Sequence, residues 1–381
     1  MTYRFLMDLA LILLSTKLLG MLTKKIQMPQ VVGALLAGLI LGPAMLNILS
    51  ETEFITQLSE LGVIVLMFSA GMGTNIQDLK NSGKAGFLVA LLGVIVPLVM
   101  GTGLAWIANI TGMIQSSGFL EDVFVGTVLT ATSVSITVET LKEMGKLDTK
   151  VGNTILAAAL IDDVLGLIAL TVVSSLAGGQ ESILLVLAKI ILFFVFSGVV
   201  GLGAKRFFCW FMGLDHGRDR RRYPVLAFVL CLVMAYCAEE FFGVADITGA
   251  YVAGISCTPK ATYIQSKFEP LSFLLLTPVF FASVGIQVEI SGLTGSLVLF
   301  SVLLLLISVI SKMLGCGLGA KLCGFTGGES MQVGVGMVCR GEVALIVANR
   351  GLSLGVLSAA MMTPVIITVV GGTILTPIML K

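Results

Sequence analysis

Long apolar runs, each followed by a short polar or glycine-rich break, recur along the whole chain. A helix needs about 20 mainly apolar residues to cross the hydrocarbon core of a bilayer. The pattern therefore predicts an all-α polytopic membrane protein with thirteen transmembrane helices. The predicted spans are residues 5–22, 30–48, 57–75, 84–108, 119–141, 150–176, 182–204, 223–242, 243–258, 269–288, 294–319, 327–349 and 355–380.

The composition excludes a soluble domain and a zinc protein. Of the 381 residues, 57% are hydrophobic and 12% charged, and the mean hydropathy is +1.05. The single histidine, His216, lies in a charged loop, and the seven cysteines lack metal-ligand spacing. We therefore expect no cofactor, no enzymatic activity and no nucleic-acid partner.

The positive charges alternate between the loops. Seventeen lysines and arginines fall in the odd-numbered loops or at the C-terminus, and only Arg4 and Arg350 fall on the other side. Because cytoplasmic loops carry the excess of positive charge, the N-terminus is predicted outside and the C-terminus in the cytoplasm.

Two segments resemble each other across the chain. Residues 30–43 and 246–259 share Gly, Ala, Ala, Gly and Pro at matching positions, and residues 67–72 resemble 281–286 at nearly the same offset. Span n then matches span n+7, so the halves insert with opposite orientation. Inverted repeats are common in secondary transporters. The alternative is coincidence, because small residues at this spacing serve helix packing in any membrane protein.

Two adjacent carboxylates, Asp162 and Asp163, lie near the centre of the span 150–176. A charged side chain there costs at least about 2.5 kcal/mol on insertion scales, so such residues usually serve ion pathways. The pair predicts an ion-coupled transporter that binds a cation and protons.

Polar residues interrupt the two spans that the repeat equates, 119–141 and 327–349. The first carries Thr130, Thr132 and Ser133, whose hydroxyls or freed carbonyls could bind a cation; the second carries Arg340 and Glu342 around a glycine. Interrupted helices at corresponding positions point to a transporter site, here with two discontinuous helices that cross. Hydroxyls that bond back to their own helix are the alternative.

Lys312 is a buried charge in the span 294–319. Adjacent residues on a helix point about 100° apart, so Asp162 and Asp163 cannot share one face. One aspartate can pair with Lys312 while the other faces the cation. Arg340 and Glu342 can neutralise helix ends or each other.

At these residues the chain resembles the second family of monovalent cation:proton antiporters over nearly its whole length. The motifs are residues 28–43, 159–166, 311–317 and 340–345. The Asp-Asp pair with Lys312 is similar to the electrogenic sodium/proton branch. The related potassium-efflux branch typically has Gln-Asp and a nucleotide-binding domain after the membrane domain.

The resemblance implies exchange of Na⁺, or Li⁺, for protons in a prokaryotic plasma membrane. It implies the monovalent cation at Asp163, with Thr130, Thr132 and Ser133 nearby, and Lys312 as a proton carrier paired with Asp162. It also implies a homodimer. Its scaffold would comprise residues 1–76 and 223–290, its ion-translocating core 84–176 and 294–380, and its linker helix 182–204.

Other functions remain as alternatives. Potassium/proton exchange fits the same oxygen ligands, and a sodium-coupled organic solute symporter shares the inverted repeat. An intramembrane aspartyl protease needs its aspartates on two helices and a Gly-x-Gly-Asp signature, which this chain lacks. Nothing in the sequence suggests the permeation filter of an ion channel.

Overall fold

The computed structural model describes residues 3–25, 28, 30–74, 76–114, 116, 118–176, 183–214, 222–257, 261–287 and 295–380. Within these ranges the regular secondary structure is helical, without a strand. The α-helices are α1 (Arg4–Lys25), α2 (Gln30–Leu41), α3 (Glu53–Gly73), α4 (Ile76–Ile110), α5 (Phe119–Val128), α6 (Val134–Glu143), α7 (Lys150–Leu176), α8 (Ile183–Leu214), α9 (Arg222–Phe242), α10 (Asp246–Ser256), α11 (Ala261–Leu271), α12 (Thr277–Ile286), α13 (Gly295–Leu322), α14 (Gly327–Gly336), α15 (Glu342–Ser353) and α16 (Met362–Leu380).

Nine helical stretches of the described ranges are long and apolar enough to cross a membrane. Shorter apolar helices include Gln30–Leu41 and Val343–Ser353. The prediction of an all-α polytopic membrane protein is confirmed, and the number of thirteen spans stays a prediction.

Prolines explain two differences from the predicted spans. The span 30–48 is helical only to Leu41, because Gly42 and Pro43 follow and the residue before a proline avoids the helical conformation. Pro270 lies inside α11, and a π-helical turn, Ser272–Leu276, joins α11 to α12. Proline removes one hydrogen bond from the helical ladder, and a π-turn is one way to accommodate such an interruption.

The first of two compact units lies within residues 1–13, 52–78 and 184–281. Here α10 packs against α3 and α9. A Cβ at Gly71 of α3 would clash with the carbonyl of Tyr251, and one at Gly254 of α10 with the carbonyl of Phe68. Glycine at both positions therefore allows the two backbones to touch.

The second unit lies within residues 14–51, 79–183 and 282–381. Its helix α13 packs against α14 and α16, and α4 lies against another part of α13. A Cβ at Gly319 would lie 2.8 Å from Cα of Val89. This close packing positions α13, the helix that carries Lys312.

Candidate cation-binding site

Two interrupted helices touch within the second unit. Residues 129–133 separate α5 from α6, and residues 337–341 separate α14 from α15. The Ser133 amide donates a hydrogen bond to the Cys339 carbonyl (3.0 Å). The Thr137 hydroxyl donates to the Gly336 carbonyl (2.9 Å). These two hydrogen bonds hold the interruptions together. Backbone N–H and C=O groups outside the helical hydrogen-bond ladder therefore lie between α5 and α6 and between α14 and α15.

Gly341 makes this contact possible. A Cβ at this position would lie 2.7 Å from both Cβ and Oγ of Ser133. Contacts this short do not occur between real side chains, so any larger residue would push the two interruptions apart.

An ion pair joins α7 to α13 beside these interruptions. Lys312 Nζ donates to Oδ1 and Oδ2 of Asp162 at 3.0 and 3.2 Å. The two side chains are 0% and 1% exposed. Gly93 of α4 covers the pair, because a Cβ there would lie 3.6 Å from Lys312 Nζ and 2.6 Å from Cys316 Sγ.

Arg340 is a second buried cation, and it connects several elements. Its Nε donates to Ser308 Oγ of α13 (3.1 Å). Its Nη1 donates to the Ala131 carbonyl in the α5–α6 interruption, and its own carbonyl accepts a bond from the Thr373 hydroxyl of α16. The Asp162 carboxylate lies close enough to the Arg340 guanidinium for the two charges to attract each other. The guanidinium thus places a positive charge at the carbonyl end of α5, where the helix dipole favours one.

The predicted oxygen ligands differ in their surroundings. Asp163 follows Asp162 on α7 and is 7% exposed. Thr132 is 1% exposed, and its hydroxyl lies beside the Asp162 carboxylate. The Thr130 hydroxyl donates to the Thr127 carbonyl (2.7 Å), and Ser133 is buried against Gly341.

Glu342 is the first residue of α15. Its side chain lies outside the described part of the structure. The predicted role of Glu342 as a supporting charge therefore stays a prediction.

Sequence reasoning missed Ser308 and Thr373, which position Arg340. Ser308 precedes Lys312 by four residues, so the two share one face of α13, and this spacing was a readable signal. Thr373 offers no such signal, because its contact joins positions 33 residues apart along the chain.

The charges of the site can be summed over its described side chains. Asp162 and Asp163 oppose Lys312 and Arg340, so the formal charges cancel when all four are ionised. Within the described ranges, no three His, Cys, Asp or Glu side chains form a metal-binding group. Carboxylate, hydroxyl and carbonyl oxygens suit a hard cation such as an alkali ion better than a transition metal.

Buried carboxylates, balanced by buried cations beside two touching helix interruptions, define an ion-coupled membrane transporter. The family model described as "Sodium/hydrogen exchanger, transmembrane" matches residues 10–381. The chain belongs to this family. The resemblance to cation:proton antiporters is thereby confirmed, and the protein is a transporter, not an enzyme.

Close relatives are antiporters from bacteria. The "Na(+)/H(+)-K(+) antiporter GerN" of Bacillus cereus is 39% identical over 385 residues, covering 100% of this chain and 96% of that protein. The "Probable Na(+)/H(+) antiporter GerT" of the same species is 41% identical over 383 residues, covering 99% and 98%. Among solved structures, the sodium proton antiporter MjNhaP1 from Methanocaldococcus jannaschii matches with a TM-score of 0.65 and 18% identity, covering 100% of this chain and 94% of that one. That likeness concerns the fold alone.

Proposed function

We propose that the protein exchanges Na⁺, with Li⁺ as a further substrate, for protons by alternating access in a prokaryotic plasma membrane. The observation that carries the proposal is the buried Asp162–Lys312 pair, adjacent to Asp163 and to the two touching interruptions. The carboxylates of this site can bind either an alkali cation or a proton, and its hydroxyl and carbonyl oxygens can bind an alkali cation. The names of both Bacillus cereus relatives, a Na⁺/H⁺-K⁺ antiporter and a probable Na⁺/H⁺ antiporter, support the same exchange.

Asp163 is the main site for the cation and the proton in this mechanism. Thr132 and Ser133, with Thr130 or its carbonyl, complete the oxygen shell of the cation. The cation's charge then weakens the hold of Lys312 on Asp162, and Lys312 releases a proton. Asp163 also gives up its own proton when it takes the cation, so more charge leaves as protons than enters as cation and the exchange is electrogenic.

Thirteen spans in two inverted repeats form the transporter. Equivalent close contacts support this repeat. When the first repeat is aligned with the second, Gly38 corresponds to Gly254, 216 residues later, and Phe68 corresponds to Ala282, 214 residues later. A Cβ at Gly38 would clash with the Ala282 carbonyl, and one at Gly254 would clash with the Phe68 carbonyl. By the same two offsets, Gly285 corresponds to Gly71 and Leu35 to Tyr251. A Cβ at Gly285 would clash with the Leu35 carbonyl, and one at Gly71 would clash with the Tyr251 carbonyl.

Two domains move against each other during transport in this proposal. Residues 1–76 and 223–290 form the dimer scaffold, 84–176 and 294–380 the moving core, and 182–204 the linker. The compact units group residues 14–51 with the second unit, so we propose the partition as one of motion rather than of packing. The N-terminus lies outside and the C-terminus in the cytoplasm.

Potassium/proton exchange is the second candidate. The name of the relative at 39% identity includes K⁺ as well as Na⁺. Both ions accept oxygen ligands, so the number and spacing of those ligands decide between them.

The test is cation-dependent proton movement in proteoliposomes that hold an acid interior and a pH-sensitive dye. Addition of Na⁺, Li⁺, K⁺ or Rb⁺ alone dissipates the pH gradient if the protein is an antiporter. A pH gradient that persists with every cation, together with Na⁺ uptake that requires an organic solute, would identify a symporter instead. Vesicles with Asp163→Asn protein provide the matched control.

A further inference from the structure

Helix α4 meets the buried ion pair at a residue without a side chain. A Cβ at Gly93 would lie 3.6 Å from Lys312 Nζ and 3.7 Å from Asp162 Oδ1. It would also lie 2.6 Å from the Sγ of Cys316, which follows Lys312 by about one turn of α13. Glycine at position 93 therefore leaves a narrow space beside both members of the ion pair.

The other glycines at the contact between α4 and α13 meet backbone atoms. A Cβ at Gly315 would lie 2.5 Å from the Leu92 carbonyl oxygen, and one at Gly319 would lie 2.8 Å from Cα of Val89. The close approach of the two helices explains both of these glycines. Gly93 instead meets side chains, so the approach of the two backbones does not account for it.

A proline one turn along α4 leaves the Gly93 carbonyl without its helical donor. Pro97 lies inside α4 and has no amide hydrogen, so the hydrogen bond from residue 97 to the carbonyl of residue 93 is missing. Gly93 and Pro97 are both buried. In a membrane-spanning helix, a carbonyl freed by proline is stabilised by donors from neighbouring helices.

Lys312 has a donor to spare for this carbonyl. Its ammonium group carries three N–H donors, and its acceptors among the described residues are the two carboxylate oxygens of Asp162. Nζ lies within about 5 Å of the Gly93 Cα, because a carbon–carbon bond is about 1.5 Å long. The flexible four-carbon stem of a lysine can cover this distance while α13 stays in place.

We propose that the Gly93 carbonyl is a second acceptor for the Lys312 ammonium, which it holds when the bond to Asp162 breaks during transport. The inference rests on the proposed exchange, in which a cation at Asp163 weakens that bond. A buried ammonium without an acceptor is costly, so a second acceptor beside the first lowers the barrier to breaking the pair. Gly93 and Pro97 are thus positioning residues for Lys312: the first leaves room for Nζ, and the second frees the carbonyl.

The substitution Gly93→Ala tests the space, and Cys316→Ala separates that test from packing. Gly93→Ala alone should melt earlier, because its methyl group would overlap Cys316 Sγ. In Gly93→Ala/Cys316→Ala the thiol is gone, so the methyl group fits and lies 3.6 Å from Lys312 Nζ, in the space proposed for the ammonium. This double variant should melt close to its matched control, Cys316→Ala. Its kcat should nevertheless be about tenfold lower, which corresponds to about 1.4 kcal/mol in the barrier.

The substitution Pro97→Ala tests the carbonyl. The alanine amide can donate to the carbonyl of residue 93, so the helix should be at least as stable, whereas kcat should fall several-fold. The KM for Na⁺ should stay near the wild-type value in both this variant and the double variant, because neither changes Asp163 or its neighbouring oxygen ligands. For the same reason, Na⁺ should raise the melting temperatures of both variants and of wild type by similar amounts.

Proteoliposomes with a pH-sensitive dye give kcat and KM for wild type and each variant. A wild-type kcat in Gly93→Ala/Cys316→Ala or in Pro97→Ala would overturn the inference, and so would a raised KM at unchanged kcat. These outcomes require an active wild type. A wild type without cation-driven proton movement would instead refute the proposed exchange, and the inference with it.

Discussion

The substitution Lys312→Gln tests whether the ion pair carries protons or only holds two helices together. It removes the positive charge and leaves the Asp162 carboxylate 1% exposed without its partner at 3.0 Å. Loss of one member of a buried pair usually destabilises a protein by 3–5 kcal/mol. Because Arg340 also lies near Asp162, we expect a loss of about 3 kcal/mol in the free energy of unfolding. The double variant Lys312→Gln/Asp162→Asn removes both charges and should recover most of that loss.

Two measurements on the same preparations separate the roles. Thermal denaturation in detergent follows stability, and currents on a solid-supported membrane follow the charge moved by each transport cycle. If Lys312 releases a proton, an active Lys312→Gln variant exchanges without net current. A variant that remains electrogenic and only melts earlier would refute the proton-carrier role. Equal melting temperatures for the single and double variants would refute the reasoning from an uncompensated charge.

Four further substitutions address the binding site and the helix crossing beside it. Asp163→Asn should abolish exchange in proteoliposomes while the protein elutes as the folded species on size exclusion; near wild-type exchange would contradict its role as the main site. Thr132→Ala should raise the apparent KM for Na⁺ several-fold. Thr130→Ala should change that KM less, because the Thr130 hydroxyl already donates to its own helix; the reverse order would count against Thr132 as a ligand. Gly341→Ala should destabilise the protein by about 1–3 kcal/mol and reduce exchange, because its Cβ would lie 2.7 Å from Ser133; wild-type melting and transport would show that the crossing tolerates a methyl group.

The sequence predicts the helical class well because each apolar run is a local signal. It also identifies both helix interruptions, because hydroxyl residues cluster at 130–135 in one span and two charged residues flank Gly341 in the other. The predicted span 30–48 is longer than α2, which ends at Leu41, because hydropathy does not show that the residue before Pro43 avoids the helical conformation. Near-neighbour spacing could have revealed Ser308, whereas Thr373 required the packing of α16. Which of the two aspartates pairs with Lys312 depends on the rotation of α7 about its own axis. The adjacent pair in the sequence does not specify that rotation.

The two buried cations of the site differ in a way that matches their positions. A guanidinium stays protonated in proteins, so Arg340 is a permanent charge. Its hydrogen bonds to the Ala131 carbonyl and to Ser308 Oγ connect the α5–α6 interruption to α13. A lysine ammonium can give up its proton, and Lys312 contacts the one carboxylate next to Asp163. When a monovalent cation reaches the ionised Asp163, it adds one positive charge to the four described side-chain charges, which cancel without it, and Arg340 cannot relieve the excess. Lys312 can restore neutrality by releasing its proton, and a proton that Asp163 held beforehand must also leave when the cation binds. The same arrangement that stabilises the crossing of the interrupted helices therefore restricts proton release to the groups beside the cation.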